Sequence, residues 1–227
     1  MTRHRERADG TPIQFRSVVV PRHARVGIVG DLETATEAWL ILHGFGMLSQ
    51  GILHGFRKAE RPGRVLIAPE GLSRFYLEEK GIRRVGASWM TREDRDHELE
   101  DLLGYLDRVS IGLIDPATRL QLHGFSQGVA AAARWLVRRT RPVDRLVCWA
   151  GGFPEDVTPD LLLPALGAEP VHLVVGDRDV WVTPDQVAAD AERLRRAGVP
   201  VVVHAFAGGH RIDDGVLAAF EQGAQRA

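Results

Sequence analysis

The amino-acid sequence predicts an α/β protein built on a mostly parallel, doubly wound sheet, and three observations carry that expectation. Six short apolar runs recur along the chain: WLIL (39–42), VLIA (65–68), RLQL (119–122), RLVCWA (145–150), VHLVV (171–175) and VVVHAF (201–206). Most do not alternate in polarity, as expected of strands covered on both faces. The stretches between them have helical spacing, and strands alternating with helices belong in a parallel sheet with a helical layer on each side. The first thirty residues differ. Runs at 13–20 and 25–29, separated by Pro21-Arg22-His23, predict an antiparallel N-terminal hairpin at the start of the sheet.

The elements follow in order. Residues 1–11 are charged and polar and read as a flexible tail, leaving 12–227 as a single domain. The helix expected over 96–109 places Leu99, Leu102, Leu103 and Leu106 on one face, with Thr91 and Asp94 as a capping box. Further helices are expected over 127–139, over 184–197, closed by Gly198 and Pro200, and over 212–225. Two connections stand out. The segment 69–93 is a loop of 25 residues, well beyond the usual ~2–6 of a strand-to-helix connection. It carries Phe75, Tyr76, Trp89 and Met90. The segment 151–170 has room for only one small helix, so no large lid domain is expected there.

Composition excludes several classes of function. With 227 residues the chain buries a full-sized core without staples, and its single cysteine, Cys148, cannot form an internal disulfide. Twenty-nine Lys and Arg against 30 Asp and Glu give a formal charge of −1, which supplies no field for nucleic acid. No run reaches the ~18 apolar residues of a membrane span, and no secretory signal follows the charged N-terminus. The expectation is a cytoplasmic enzyme without stable membrane insertion, acting on a small molecule; a homodimer is compatible with it.

The tetrapeptide LHGF occurs three times, at 42–45, 53–56 and 122–125, each in a different context. The third follows a strand and runs into Gly124-Phe125-Ser126-Gln127-Gly128 and an Ala-rich helix, the strand–turn–helix setting of a G-x-S-x-G nucleophile elbow. That turn exposes the Ser126 hydroxyl and places the Gln127 N–H at a helix N-terminus, where anions are favoured. The first copy also ends a strand but continues as Gly46-Met47, suiting a second oxyanion donor from Phe45 N–H or Gly46 N–H. The second copy has no β run before it and reads as a helix face, with His54 structural.

A serine nucleophile needs a base and an acid, and in strand-to-helix hydrolases the order is serine, acid, histidine. Downstream of Ser126, GDRDVWVTP offers Asp177 and Asp179, and HAFAGGHR offers His204 within a strand and His210 in a glycine loop. Asp179 and His210 are the better pair because both lie in loops; Asp177 suits a supporting role and His204 packing. Trp89, Met90 and Trp181 lie in loops near the expected site and are candidate substrate contacts. Metal is rejected because no H-x-x-H or HExxH spacing exists, and no cofactor is needed.

Together the LHGFG turn, GFSQG, GDRDVWVTP and the GGH loop resemble the phospholipase/carboxylesterase branch of the α/β-hydrolases, which includes acyl-protein thioesterases and bacterial carboxylesterases. The motifs fall in that family's order and span residues 39–212. The resemblance implies an α/β-hydrolase fold, a Ser126–Asp179–His210 triad and an oxyanion hole from Phe45 and Gln127. APEGLSRFYL and VGASWMTREDR further resemble a subgroup of bacterial predicted esterases. The 69–93 segment, with Arg74, Arg83 and Arg84, departs from the acyl-protein thioesterase pattern, so no lipid-tail groove is carried over. The expected activity is cleavage of carboxylic esters through an acyl-enzyme. A thioesterase with the same triad is the near alternative, and a catalytically silent ligand-binding module is the alternative of another class.

Overall fold

Each of the six apolar runs forms a strand. The computed structural model describes residues 13–79, 81–166 and 169–223; the expected N-terminal tail lies outside them. Strands β1 (Val26–Val29), β2 (Glu37–Leu42), β3 (Arg64–Pro69), β6 (Arg119–Phe125), β7 (Arg145–Trp149), β8 (Val171–Gly176) and β9 (Val201–Phe206) make a seven-stranded sheet in the order β1-β3-β2-β6-β7-β8-β9. All neighbours run parallel except β1, which is antiparallel to β3.

The antiparallel N-terminal strand is therefore present, but its expected hairpin partner is not. Residues 13–20 carry no strand and leave Phe15, Val18, Val19 and Val20 exposed, while Val26 pairs with Pro69. The chain reaches a better partner: the edge of β3 offers a full ladder, whereas an isolated hairpin is marginal in water.

Helices α1 (Ser49–Gly55), α2 (Arg95–Leu113), α3 (Gln127–Arg138), α4 (Pro159–Leu162), α5 (Pro184–Arg196) and α6 (Asp214–Gly223) cover the sheet. Side chains alternate across a strand, and β2 shows the consequence. Ala38, Leu40 and Leu42 join a core with Leu102, Leu106, Trp135 and Leu194 from α2, α3 and α5. Trp39 and Ile41 point the other way, to Ile52 and Phe56 at α1 and Leu217 and Phe220 of α6. Among the described residues no helix is long and apolar enough to cross a membrane.

The 69–93 segment is not an irregular loop. It folds into a two-stranded antiparallel hairpin, β4 (Ser73–Glu79) and β5 (Ile82–Ser88), separate from the main sheet. The capping box at Thr91 and Asp94 is also absent. Asp94 adopts a left-handed conformation (φ 49°) without a side-chain cap, and Thr91 bonds instead to the Glu98 carboxylate. A capping box does form later, where the Thr183 hydroxyl accepts from Gln186 N–H and the Gln186 amide oxygen accepts from Thr183 N–H. It starts α5 just past the acid loop and so fixes where that loop ends.

The edge of the sheet holds a titratable device. His172 Nδ1 lies 3.0 Å from His204 Nε2, both rings packing on Phe220. Burial, with the neighbouring His204 and Arg145 charges, pushes His172 down to about 4. An unfolded histidine titrates near 6.5, so between those values the unfolded chain binds more protons than the folded one. Stability is therefore fully present above pH ~6.5 and is lost as the pH falls toward 4, by on the order of 3 kcal/mol from this residue. Unfolding midpoints measured across that window should fall with pH and fall less in His172→Asn; an equal slope in both proteins would refute the assignment.

Candidate active site

The centre of the sheet ends in two turns side by side. In β2 and β6 the pairing sets Leu42 opposite Gly124, so the first and third LHGF copies emerge at the same edge. The turn after β6 is a strained elbow. Ser126 has φ 53° and ψ −118°, and its N–H donates to Trp149 O at 2.8 Å. The turn needs glycine on both sides for lack of space. A Cβ on Gly124 would lie 2.6 Å from Gly128 O, and one on Gly128 would lie 2.1 Å from Leu42 O. Either contact is far inside van der Waals range, so any side chain there would push the elbow out of register with β2.

Ser126 opens into a cavity of about 570 Å³ lined by Phe45, Met47, Ile52, Arg84, Phe125, His210 and Ile212, among others. His210 Nδ1 bonds Asp179 Oδ2 at 2.8 Å. Asp179 is buried, and its other oxygen accepts from Trp181 N–H (2.9 Å) and Val182 N–H (3.0 Å). Those bonds fix the carboxylate, which fixes the ring. Ser126 and His210 line the same cavity, and no hydrogen bond joins them. Asp177 faces away from the ring. Its Oδ1 accepts from Gly208 N–H at 2.8 Å, while Arg178 N–H donates to Gly208 O, so it buttresses the histidine loop.

Two backbone donors beside Ser126 have no acceptor among the described residues: Phe45 N–H in the first turn and Gln127 N–H at the first position of α3. Gly46 N–H, the alternative donor, is committed to Ala87 O at 2.8 Å. The turn thus leaves Phe45 as its available donor.

The three candidate substrate contacts are not at the cavity wall. Trp89 is buried; its ring stacks on His43 (4.6 Å) and Nε1 donates to His43 O at 2.7 Å. Met90 packs on the core, with its carbonyl accepting from Gln127 Nε2 at 3.1 Å. Trp181 is 76% exposed and points to solvent. The hairpin accounts for the difference, because β5 draws residues 89 and 90 beneath the two turns. Trp89 N–H donates to Gln127 Oε1 (3.1 Å), so this segment ties the elbow to the strand end at His43.

What lines the cavity instead is α1, through Gly51, Ile52 and Gly55. The second LHGF copy is thus a cavity wall as well as a helix surface, with His54 exposed. The signal was its place directly after the first LHGF turn.

Two buried histidines, His43 and His123, are explained by packing. His43 accepts Gly71 N–H at Nε2 (2.9 Å) and donates from Nδ1 to Gly44 O (2.7 Å), and burial keeps it neutral. His123 stacks on Trp39 at 4.4 Å, accepts from Trp149 Nε1 at 3.2 Å, and burial pushes it well below its ordinary value. Cys148 is buried, which pushes its thiol up and leaves it inert. Glu70 is an organising carboxylate that the sequence reading missed. Buried at the end of β3, it accepts from Ser49 N–H and Oγ and pairs with Arg25 and Arg74, anchoring α1 and the hairpin base. Its arginine and serine partners hold it below the usual carboxylate range despite burial.

No protein-family model and no curated protein sequence matches the chain. Solved structures do. The chain is similar to the esterase PE8, at 22% identity over 89% of this chain and 98% of that one, with a TM-score of 0.67. A carboxylesterase from Mesorhizobium loti matches at 19% identity over 90% and 95%, also with a TM-score of 0.67. Zea mays acyl-protein thioesterase 2 matches at 17% over 89% and 98%, with a TM-score of 0.64. The fold is the α/β-hydrolase fold, with no large lid among the described residues.

Proposed function

We propose that this chain is a serine hydrolase of the phospholipase/carboxylesterase branch, cleaving carboxylic esters through an acyl-enzyme. One observation carries the reading: Ser126 sits on a strained elbow in a cavity it shares with His210, whose other ring nitrogen is bonded to a buried, doubly anchored aspartate.

In the reaction, Ser126 Oγ attacks the acyl carbonyl while His210 Nε2 takes the hydroxyl proton. Asp179 holds the Nδ1–H tautomer and stabilises the imidazolium. Charge developing on the acyl oxygen is met by Phe45 N–H and Gln127 N–H, each such donor being worth roughly two to three decades in rate. Collapse expels the alkoxide, which leaves as the alcohol with the proton from His210. Water then enters, gives a proton to His210, and attacks the acyl-enzyme to release the acid and restore Ser126. No cofactor takes part.

A thioester would run through the same steps with a better leaving group, and the structural likeness to a thioesterase keeps it in view. The deciding experiment is turnover of a homologous series of p-nitrophenyl esters, from acetate to palmitate, beside matched acyl thioesters. Hydrolysis of the esters is expected. If neither series is turned over, the enzyme reading fails and a ligand-binding module takes its place; turnover of thioesters alone would reassign the substrate class.

A further inference from the structure

The β4–β5 hairpin pairs with no strand of the main sheet, yet it is bonded to the turn that carries Phe45. Gly46 N–H donates to Ala87 O (2.8 Å), and Ala87 N–H donates to Met47 O (3.2 Å). Met47 N–H closes the turn on Gly44 O at 3.1 Å. Arg84, three residues before Ala87 on β5, completes the grip: its Nη1 donates to Gly46 O at 2.7 Å. The peptides on the C-terminal side of Phe45 are thus held at both N–H groups and at one carbonyl. A charged donor makes this last bond stronger than a neutral pair would.

Resting on the acyl-transfer reading above, we infer that Arg84 is a positioning residue for the oxyanion hole, holding the Gly46 carbonyl so that the Phe45 N–H stays aimed at the acyl oxygen. The physical reason is preorganisation. A donor that is already oriented stabilises developing charge without reorganising, whereas a turn free to rock must first be ordered. Arg84 lines the cavity and lies on the exposed half of β5, outside both cores.

The test uses Arg84→Met, which removes the donor, and Arg84→Lys, which keeps one. Steady-state kinetics on the neutral ester p-nitrophenyl butyrate are paired with the affinity of an alkylboronic acid. Its boron accepts the Ser126 Oγ electron pair and so mimics the tetrahedral intermediate. In Arg84→Met, kcat should fall about ten- to hundredfold with KM within about threefold. Boronate affinity should fall by the same factor, and the unfolding midpoint should stay at the wild-type value. Arg84→Lys should recover most of the loss, and it carries the comparison if the Met variant does not fold. A rise in KM at unchanged kcat would overturn the assignment in favour of a ground-state substrate contact. Equal losses in both variants, or a boronate affinity that does not follow kcat, would overturn it as well. Wild-type protein that neither turns over the ester nor binds the boronate sinks the acyl-transfer reading itself. An active wild type with an equally active Arg84→Met sinks only the role of Arg84.

Discussion

Ser126→Ala lowers kcat for ester hydrolysis by about six decades, the size of loss seen when the nucleophile of a triad is deleted. The prediction is clean because the hydroxyl has no structural duty. Ser126 Oγ bonds to no other described residue, and the elbow's strain resides in the backbone, which alanine shares. The variant should unfold at the wild-type midpoint, keep its cavity and retain a trace of rate from the two N–H donors. A fluorophosphonate, which needs a serine alkoxide, should label the wild type and leave Ser126→Ala unlabelled. Equal labelling of the two proteins would place the nucleophile elsewhere.

Asp179→Asn costs on the order of four decades in kcat, the effect of neutralising a triad acid, while Asp177→Asn costs little. The asymmetry follows from the acceptors. At Asp179, Oδ1 receives two backbone N–H groups, and Oδ2 alone receives the ring. In the asparagine variant the amide oxygen keeps the backbone bonds, so the NH2 must face Nδ1, favouring the tautomer that leaves Nε2 protonated and unable to act as base. At Asp177, Oδ1 accepts from Gly208 N–H and pairs loosely with the exposed Arg178 side chain (3.6 Å), and an asparagine oxygen accepts the N–H bond equally well. Measured kcat values for the two variants in the reverse order would exchange the roles of the aspartates.

What was legible in the sequence was what backbone periodicity and local turn chemistry dictate. Five of the six apolar runs are strands buried on both faces, the sixth, 201–206, is the half-exposed edge strand, and the elbow is legible because glycine spacing, a strand and a helix occur together within a few residues. The partner of residues 25–29 was not legible. Pairing is a contest between registers, and sequence separation does not show that the β3 edge offers more bonds than residues 13–20. The hairpin at 73–88 was obscured for a different reason: Arg83 and Arg84 interrupt the alternation that marks a strand. Only the C-terminal end of its second strand, Gly86 to Ser88, is buried, and the rest of that strand is exposed. That one omission misplaced Trp89 and Met90, because a loop would have left them at the surface and a hairpin tucks them beneath the turns. Glu70 lay hidden because a buried carboxylate is visible only once its arginine and serine partners have been brought to it.

The register of β2 on β6 has a consequence for how such a site can be studied at all. The proposed oxyanion donors at 45 and 127 are main-chain groups at the ends of strands held together by the ladder Leu42↔Gly124 and its neighbours. Every residue but proline supplies the same N–H. An alanine scan would therefore leave both N–H groups in place, and whatever it recorded at Phe45 or Gln127 would describe the lost ring or the amide that bonds Trp89 and Met90 rather than the hole. The part of the machinery closest to the developing charge is anonymous to side-chain substitution. It can be reached only by replacing an amide with an ester in the main chain, or by loosening what holds the turn.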